Sequence, residues 1–321
     1  MRSSSDKPAL CIRDLLFRKE SVAGGGSPMF RHTSMRGLRV LAVGAAILLP
    51  AAVSYGVVLH TDVQPADRPA DAVIGRWGVN ASCVAVSPDY VLTTTHQGGD
   101  TTTPVVLGGV AYVIETITDH PTANLRVVKI KKADGSPANL AAYVGLYEAS
   151  DEIGKEIALG GFGKGRGSPL QTGGLTYGYS WAPEDNLTER WGTNKVRGLG
   201  ADGGTYVIKI DFTGPSDAGA TAYECVPAEF DSGGGWFIKD GGSWRLAGLT
   251  KSVEHYGESW FRSKTDPTRP DADLSFGVRI SSYAGWIQQQ APAPPPIPEP
   301  ASLVLLVAGA GGLLVRRAGR R

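Results

Sequence analysis

The chain has 321 residues, 42% hydrophobic and 20% charged, which fits one large globular domain or two small ones. Its formal net charge is +1, but residues 55–300 hold 20 Lys and Arg against 28 Asp and Glu, so the body is acidic at −8. That balance argues against a nucleic-acid partner, since the Lys129-Ile130-Lys131-Lys132 run reads as a solvated strand end.

Residues 1–34 have no periodicity and fit either a mis-assigned start, with Met35 as initiator, or a long cytoplasmic leader. Residues 35–54 begin with Met35-Arg36-Gly37-Leu38-Arg39, continue as an apolar run and end in small residues, as an export signal does. Cleavage is expected near Ser54, leaving 1–54 as leader and signal and 55–71, with His60, as a linker. An uncut anchor is the other reading, although the apolar run is shorter than the roughly 20 residues a span needs.

Residues 71–288 are short runs of Val, Ile, Tyr and Thr separated by Gly, Pro and Asp turns, a β pattern. Strands are expected over 82–86, 90–94, 104–107, 111–116, 125–130, 156–160, 205–212, 235–239, 244–249 and 275–280. No helix-length amphipathic segment precedes Ser281, so the pattern points to an all-β sandwich or barrel rather than a parallel α/β sheet. The glycine-rich stretch 160–174 reads as a long loop; a phosphate-binding role is poorly supported, because no Lys and Ser follow with the required spacing. Cys83 and Cys225 could form one disulfide, and none is required. The histidines and cysteines are too scattered for a metal site, and no cofactor is expected.

Two stretches carry chemistry. Asp231-Ser232-Gly233-Gly234 offers Ser232 as a nucleophile, in a glycine-rich turn that lets a substrate carbonyl approach the backbone. Far upstream, Tyr90-Val91-Leu92-Thr93-Thr94-Thr95-His96 ends an apolar strand on a histidine. Together these resemble the chymotrypsin/trypsin-like serine peptidases, in which a histidine after such a strand, an aspartate and a serine follow in that order. Gly277-Val278-Arg279-Ile280-Ser281-Ser282-Tyr283-Ala284-Gly285-Trp286-Ile287 looks like that family's last strand and closing helix, so the resemblance spans about 200 residues.

The resemblance implies two six-stranded antiparallel barrels, roughly 72–154 and 155–287, with a short C-terminal helix. It implies Ser232 as nucleophile and His96 as general base, acting on a protein or peptide substrate. Two positions depart from the family. Asn124 stands where the family has its aspartate, and an amide can hold the wrong histidine tautomer; Asp119 is the alternative acid. Phe230 stands where the family has the glycine whose amide, with that of Ser232, forms the oxyanion hole. If the loop needs a positive backbone angle there, a bulky residue costs about 1–3 kcal/mol.

Other family features are weaker. Asp231 often pairs with an amino terminus freed by cleavage, which only Val73-Ile74-Gly75 faintly suggests here. Val226 occupies the position of the trypsin aspartate that selects basic side chains, so that specificity is not expected. His255 falls where the family has a substrate-contacting strand, whereas His120 reads as a surface residue.

After a Pro-rich linker (288–300), Pro298-Glu299-Pro300, an apolar stretch over 302–315 and Arg316, Arg317, Arg320 and Arg321 resemble the PEP-CTERM sorting tail, here 298–321. That resemblance implies a bacterial envelope protein, transiently membrane-tethered and read by an exosortase-type processing enzyme; an ordinary tail anchor is the alternative. The expected function is an exported serine endopeptidase, slowed by Asn124. The alternatives are a catalytically impaired envelope binding or scaffold module and a purely structural envelope protein.

Overall fold

Alternation along Ala81–Ser87 organises the first half of the molecule: Ala81, Cys83 and Ala85 face a core around Trp77, whereas Val84 faces a second core shared with the rest of the chain. In this computed structural model, which describes residues 56–78, 80–97, 99–183 and 188–292, that strand belongs to a closed six-stranded barrel. Round the barrel the order is Ile74–Trp77, Ala81–Ser87, Tyr90–Thr93, Arg126–Lys131, Val110–Asp119 and Val105–Leu107. Its small inward residues leave room for the Trp77 indole, whose Nε1 donates to Thr103 O at 2.8 Å.

The second half is an antiparallel sheet in the order Arg190–Lys195, Glu156–Gly161, Gly235–Asp240, Ser243–Val253, Leu274–Arg279, Thr205–Asp211 and Gly198–Asp202; Gly145–Leu146 pairs parallel to Ser243–Val253. It curls until its first and sixth strands meet. The join is made by Asn194 Nδ2–H to Asp211 O at 2.8 Å, rather than by a continuous ladder. The chain is thus all-β, with one closed six-stranded barrel, a second, curled sheet of eight strands and one short helix, Ala284–Gln290.

Between the halves lies a core of Ile74, Val84, Leu92, Leu125 and Val127 from the first against Trp191, Phe237, Leu249, Val278 and Ile287 from the second. The linking segment is pinned by fully buried Glu152, which accepts two bonds from Arg279 at 2.9 and 2.8 Å and one from Ser281 Oγ at 2.6 Å.

Two expectations change. The segment read as a linker from residue 55 is, over its described part, built into the body: Val57, Val58 and Leu59 are buried, and Val58 and Leu59 pair with Val226 and Cys225. His60 stacks on Phe212 at 4.3 Å, and burial lowers its pKa to about 4. The glycine-rich stretch is a hairpin, not a loop, with Arg166–Thr172 at the edge of a three-stranded sheet beside Leu175–Trp181 and Glu258–Trp260. An edge position tolerates Pro169. Cys83 and Cys225 are both buried and unbridged.

The expected leader, export signal, most of the Pro-rich linker and the tail with Pro298, Glu299 and Pro300 lie outside the described residues. No described helix is long and apolar enough to cross a membrane.

Candidate active site

The strand Tyr90–Thr93 ends three residues before His96, and Asn124 lies two residues before Arg126–Lys131, the neighbouring strand. This pairing brings the two side chains together. Ser232 arrives from the second half, on the turn before Gly235–Asp240. Its Oγ lies 2.9 Å from His96 Nε2, and Asn124 Nδ2 lies 2.8 Å from His96 Nδ1.

The amide's orientation follows from its neighbours. Asn124 Oδ1 accepts from Thr95 N–H at 2.7 Å, Thr95 Oγ–H at 2.9 Å and His96 N–H at 3.1 Å. Exchanging oxygen and nitrogen would aim an NH2 group at two N–H donors. Asn124 Nδ2–H therefore donates to His96 Nδ1. The ring proton is then on Nε2, where it donates to Ser232 Oγ. In this tautomer the imidazole has no lone pair facing the serine. The Asn124 N–H is tied in turn to Thr205 Oγ1 at 2.9 Å, across the interface between the halves.

Asp119 is engaged elsewhere. Its two carboxylate oxygens pair with Arg126 Nε and Nη2 at 2.5 and 2.9 Å, and the side chain is half exposed.

The nucleophile turn is fixed from several directions. Asp231 is fully buried and accepts from Gly163 N–H at 2.7 Å and Ala228 N–H at 2.8 Å. Burial raises its pKa to about 7, outweighing those two bonds, which favour the carboxylate. The glycine-rich stretch has its explanation here, because a Cβ on Gly161 or Gly163 would collide with the Asp231 carboxylate. Val73-Ile74-Gly75 is not at this carboxylate: Ile74 and Gly75 pair with Val84 and Cys83 inside the first barrel. Gly233 has φ +83°, and a Cβ on it would meet Ser82 O and Thr93 Oγ1.

Phe230 has φ 75°, the left-handed value that a glycine takes without penalty. Val226 is buried against the second-half core. His255 lies outside the His96–Ser232 pair: it stacks on Trp260 at 4.0 Å and bonds Asp273 Oδ1 at 2.6 Å, a contact that raises its pKa. His120 accepts from Thr122 and Ala123 N–H and packs edge-on against Tyr283 and Trp286. Among the described residues no three His, Cys, Asp or Glu side chains converge as metal ligands.

The residue that sequence reasoning missed is Ser82. It is fully buried, and its N–H donates to Ser232 O at 2.8 Å, its Oγ to Phe230 O at 3.1 Å. Phe162 N–H donates to Ser82 Oγ at 3.2 Å, and Thr93 Oγ to Ser82 O at 2.8 Å. Its own neighbourhood carries no signal of these partners: Ser82 is one of two serines in the strand Ala81–Ser87.

No family model and no curated protein matches the sequence. Among solved structures, one match is neuropsin, described as a serine protease expressed in the limbic system of mouse brain. It is 16% identical with a TM-score of 0.45, over 69% of this chain and 95% of that one.

Proposed function

We propose that the chain is an exported serine endopeptidase that cleaves protein or peptide substrates by slow acyl transfer. The observation that carries this reading is Ser232 Oγ at 2.9 Å from His96 Nε2, with Asn124 on the far ring nitrogen. Ser232 would attack the scissile carbonyl, His96 would take its proton and return it to the leaving amine, and the amides of Phe230 and Ser232 would receive the oxyanion. Before attack, His96 must move its proton to Nδ1, and that requires Asn124 to present its oxygen instead of its NH2. This rearrangement breaks three bonds to Oδ1 and makes turnover slow.

One observation favours a second reading, a binding or scaffold module of the cell envelope: the same amide network, undisturbed, keeps His96 a donor. In either case we place the catalytic-type body over residues 57–287, divided near Gly154, with the tail at 298–321 tethering it to the membrane until an exosortase-type enzyme acts.

A fluorophosphonate probe tests the choice, applied to the purified protein beside Ser232→Ala and Asn124→Asp. Labelling of the parent that vanishes in Ser232→Ala supports the peptidase. Labelling seen only in Asn124→Asp overturns native activity and leaves the binding module.

A further inference from the structure

Phe230 is a bulky residue held at φ 75°, a conformation that costs about 1–3 kcal/mol and persists only where neighbours over-determine it. Both peptide planes flanking it are pinned. The upstream plane carries the Glu229 carbonyl, which accepts from Lys164 N–H at 2.8 Å. A trans peptide points its N–H away from its C=O, so fixing that oxygen fixes the direction of the Phe230 N–H. The downstream plane carries the Phe230 carbonyl, which accepts from Ser82 Oγ at 3.1 Å.

Side chains reinforce the upstream hold. Lys164 Nζ pairs with Glu229 Oε2 at 2.6 Å and lies 5.6 Å from the centre of the Phe230 ring. Glu229 is buried and also bonds the Tyr256 hydroxyl, whose ring packs edge-on against Trp181 at 5.2 Å. A charged pair that is largely shielded from water keeps more of its strength than a surface pair does. Ser82 is itself immobilised by three further bonds, so it cannot follow Phe230 if that residue relaxes.

We propose that Ser82 and Lys164 are positioning residues, a clamp reaching Phe230 from two elements, Ala81–Ser87 and the segment after Glu156–Gly161, that holds its amide toward the place where negative charge develops. The inference rests on the acyl-transfer reading above. It assigns the two residues no contact with substrate. They act through Phe230.

The test uses the whole protein in the Asn124→Asp background, where turnover is large enough to resolve. Adding Ser82→Ala is expected to lower kcat on an ester substrate, and the rate of fluorophosphonate labelling, about 10- to 100-fold, less than the roughly 10²–10³ that complete loss of one oxyanion donor costs, with KM unchanged. Lys164→Met is expected to act in the same direction. Adding Phe230→Gly should recover most of the Ser82→Ala loss, because glycine takes the positive angle without a clamp. Equal rates with and without Ser82→Ala would overturn the clamp and leave the acyl-transfer reading standing. If no version labels, that reading fails by itself, and a crystal structure of the Ser82→Ala, Lys164→Met variant decides the clamp: a Phe230 φ that has left the left-handed region supports it, and one still near 75° overturns it.

Discussion

Asn124 and His96 meet with a polarity opposite to that of a base-activating pair: the amide donates to Nδ1 across 2.8 Å, so the imidazole donates toward Ser232. An aspartate in this position could accept from Thr95 and His96 backbone N–H groups as Asn124 Oδ1 does, and from His96 Nδ1–H with its other oxygen. Asn124→Asp is therefore expected to raise the fluorophosphonate labelling rate about 10³- to 10⁴-fold without repacking the site. Stopped-time labelling of the two proteins measures it.

Asp119 supplies the control. Because its carboxylate is given to Arg126, Asp119→Asn should change labelling in the Asn124→Asp background by no more than about fivefold, the equivalent of the ~1 kcal/mol that an exposed ion pair is worth. A loss of 10²-fold or more in the same assay would make Asp119 the working acid.

Asp231 makes stability depend on pH in an unusual direction. Its native pKa of about 7 lies above the ordinary value near 4, so the folded state keeps a proton that the unfolded chain has already lost. Its contribution is thus full below about pH 4 and erodes as pH rises toward 7. Denaturant titrations should show the parent losing stability relative to Asp231→Asn across that window and running parallel to it above. Below about pH 4 the variant itself should be less stable by about 1–3 kcal/mol, since one of the Gly163 and Ala228 N–H donors would face an NH2 group, and that deficit should shrink as pH rises toward 7.

Glu152 behaves in the opposite way. Burial opposes its charge, but the bonds from Arg279 and Ser281 outweigh that and hold its pKa below the usual range. Its stabilisation is present above the ordinary glutamate range and is lost as pH falls through the depressed native value. Glu152→Ala strands Arg279, and a loss of about 3–5 kcal/mol in urea unfolding is expected.

Short apolar runs bounded by turn residues can be read directly from the residue pattern. The runs expected over 156–160, 205–212 and 235–239 differ from Glu156–Gly161, Thr205–Asp211 and Gly235–Asp240 by a residue at an end, since burial is continuous over 157–161 and 235–238 and near-alternating over 205–211. Arg166–Thr172 and Gly198–Asp202 were not legible. The first contains Gly167 and Pro169, the second two glycines, and both lie at sheet edges where packing asks little of the side chains. In the site, His96, Asn124 and Ser232 could be read from local motifs. Ser82 and Thr205 could not, because each acts across the interface and nothing in its own neighbourhood signals the partner. The strain at Phe230 was legible only as a condition, and its positive φ meets that condition.

The division of labour between the halves has a consequence in time. His96 and Ser232 are 136 positions apart, and the first half's Ser82 holds both the Phe230 and Ser232 carbonyls. Contacts of such separation form late, after the entropy of closing a long loop has been met. A chain with one half folded has a histidine without a nucleophile, or a serine loop whose carbonyls lack their Ser82 donors. In the proposed peptidase the reactive centre would come into being only when the two halves dock, so a chain whose halves had not yet met would be chemically silent.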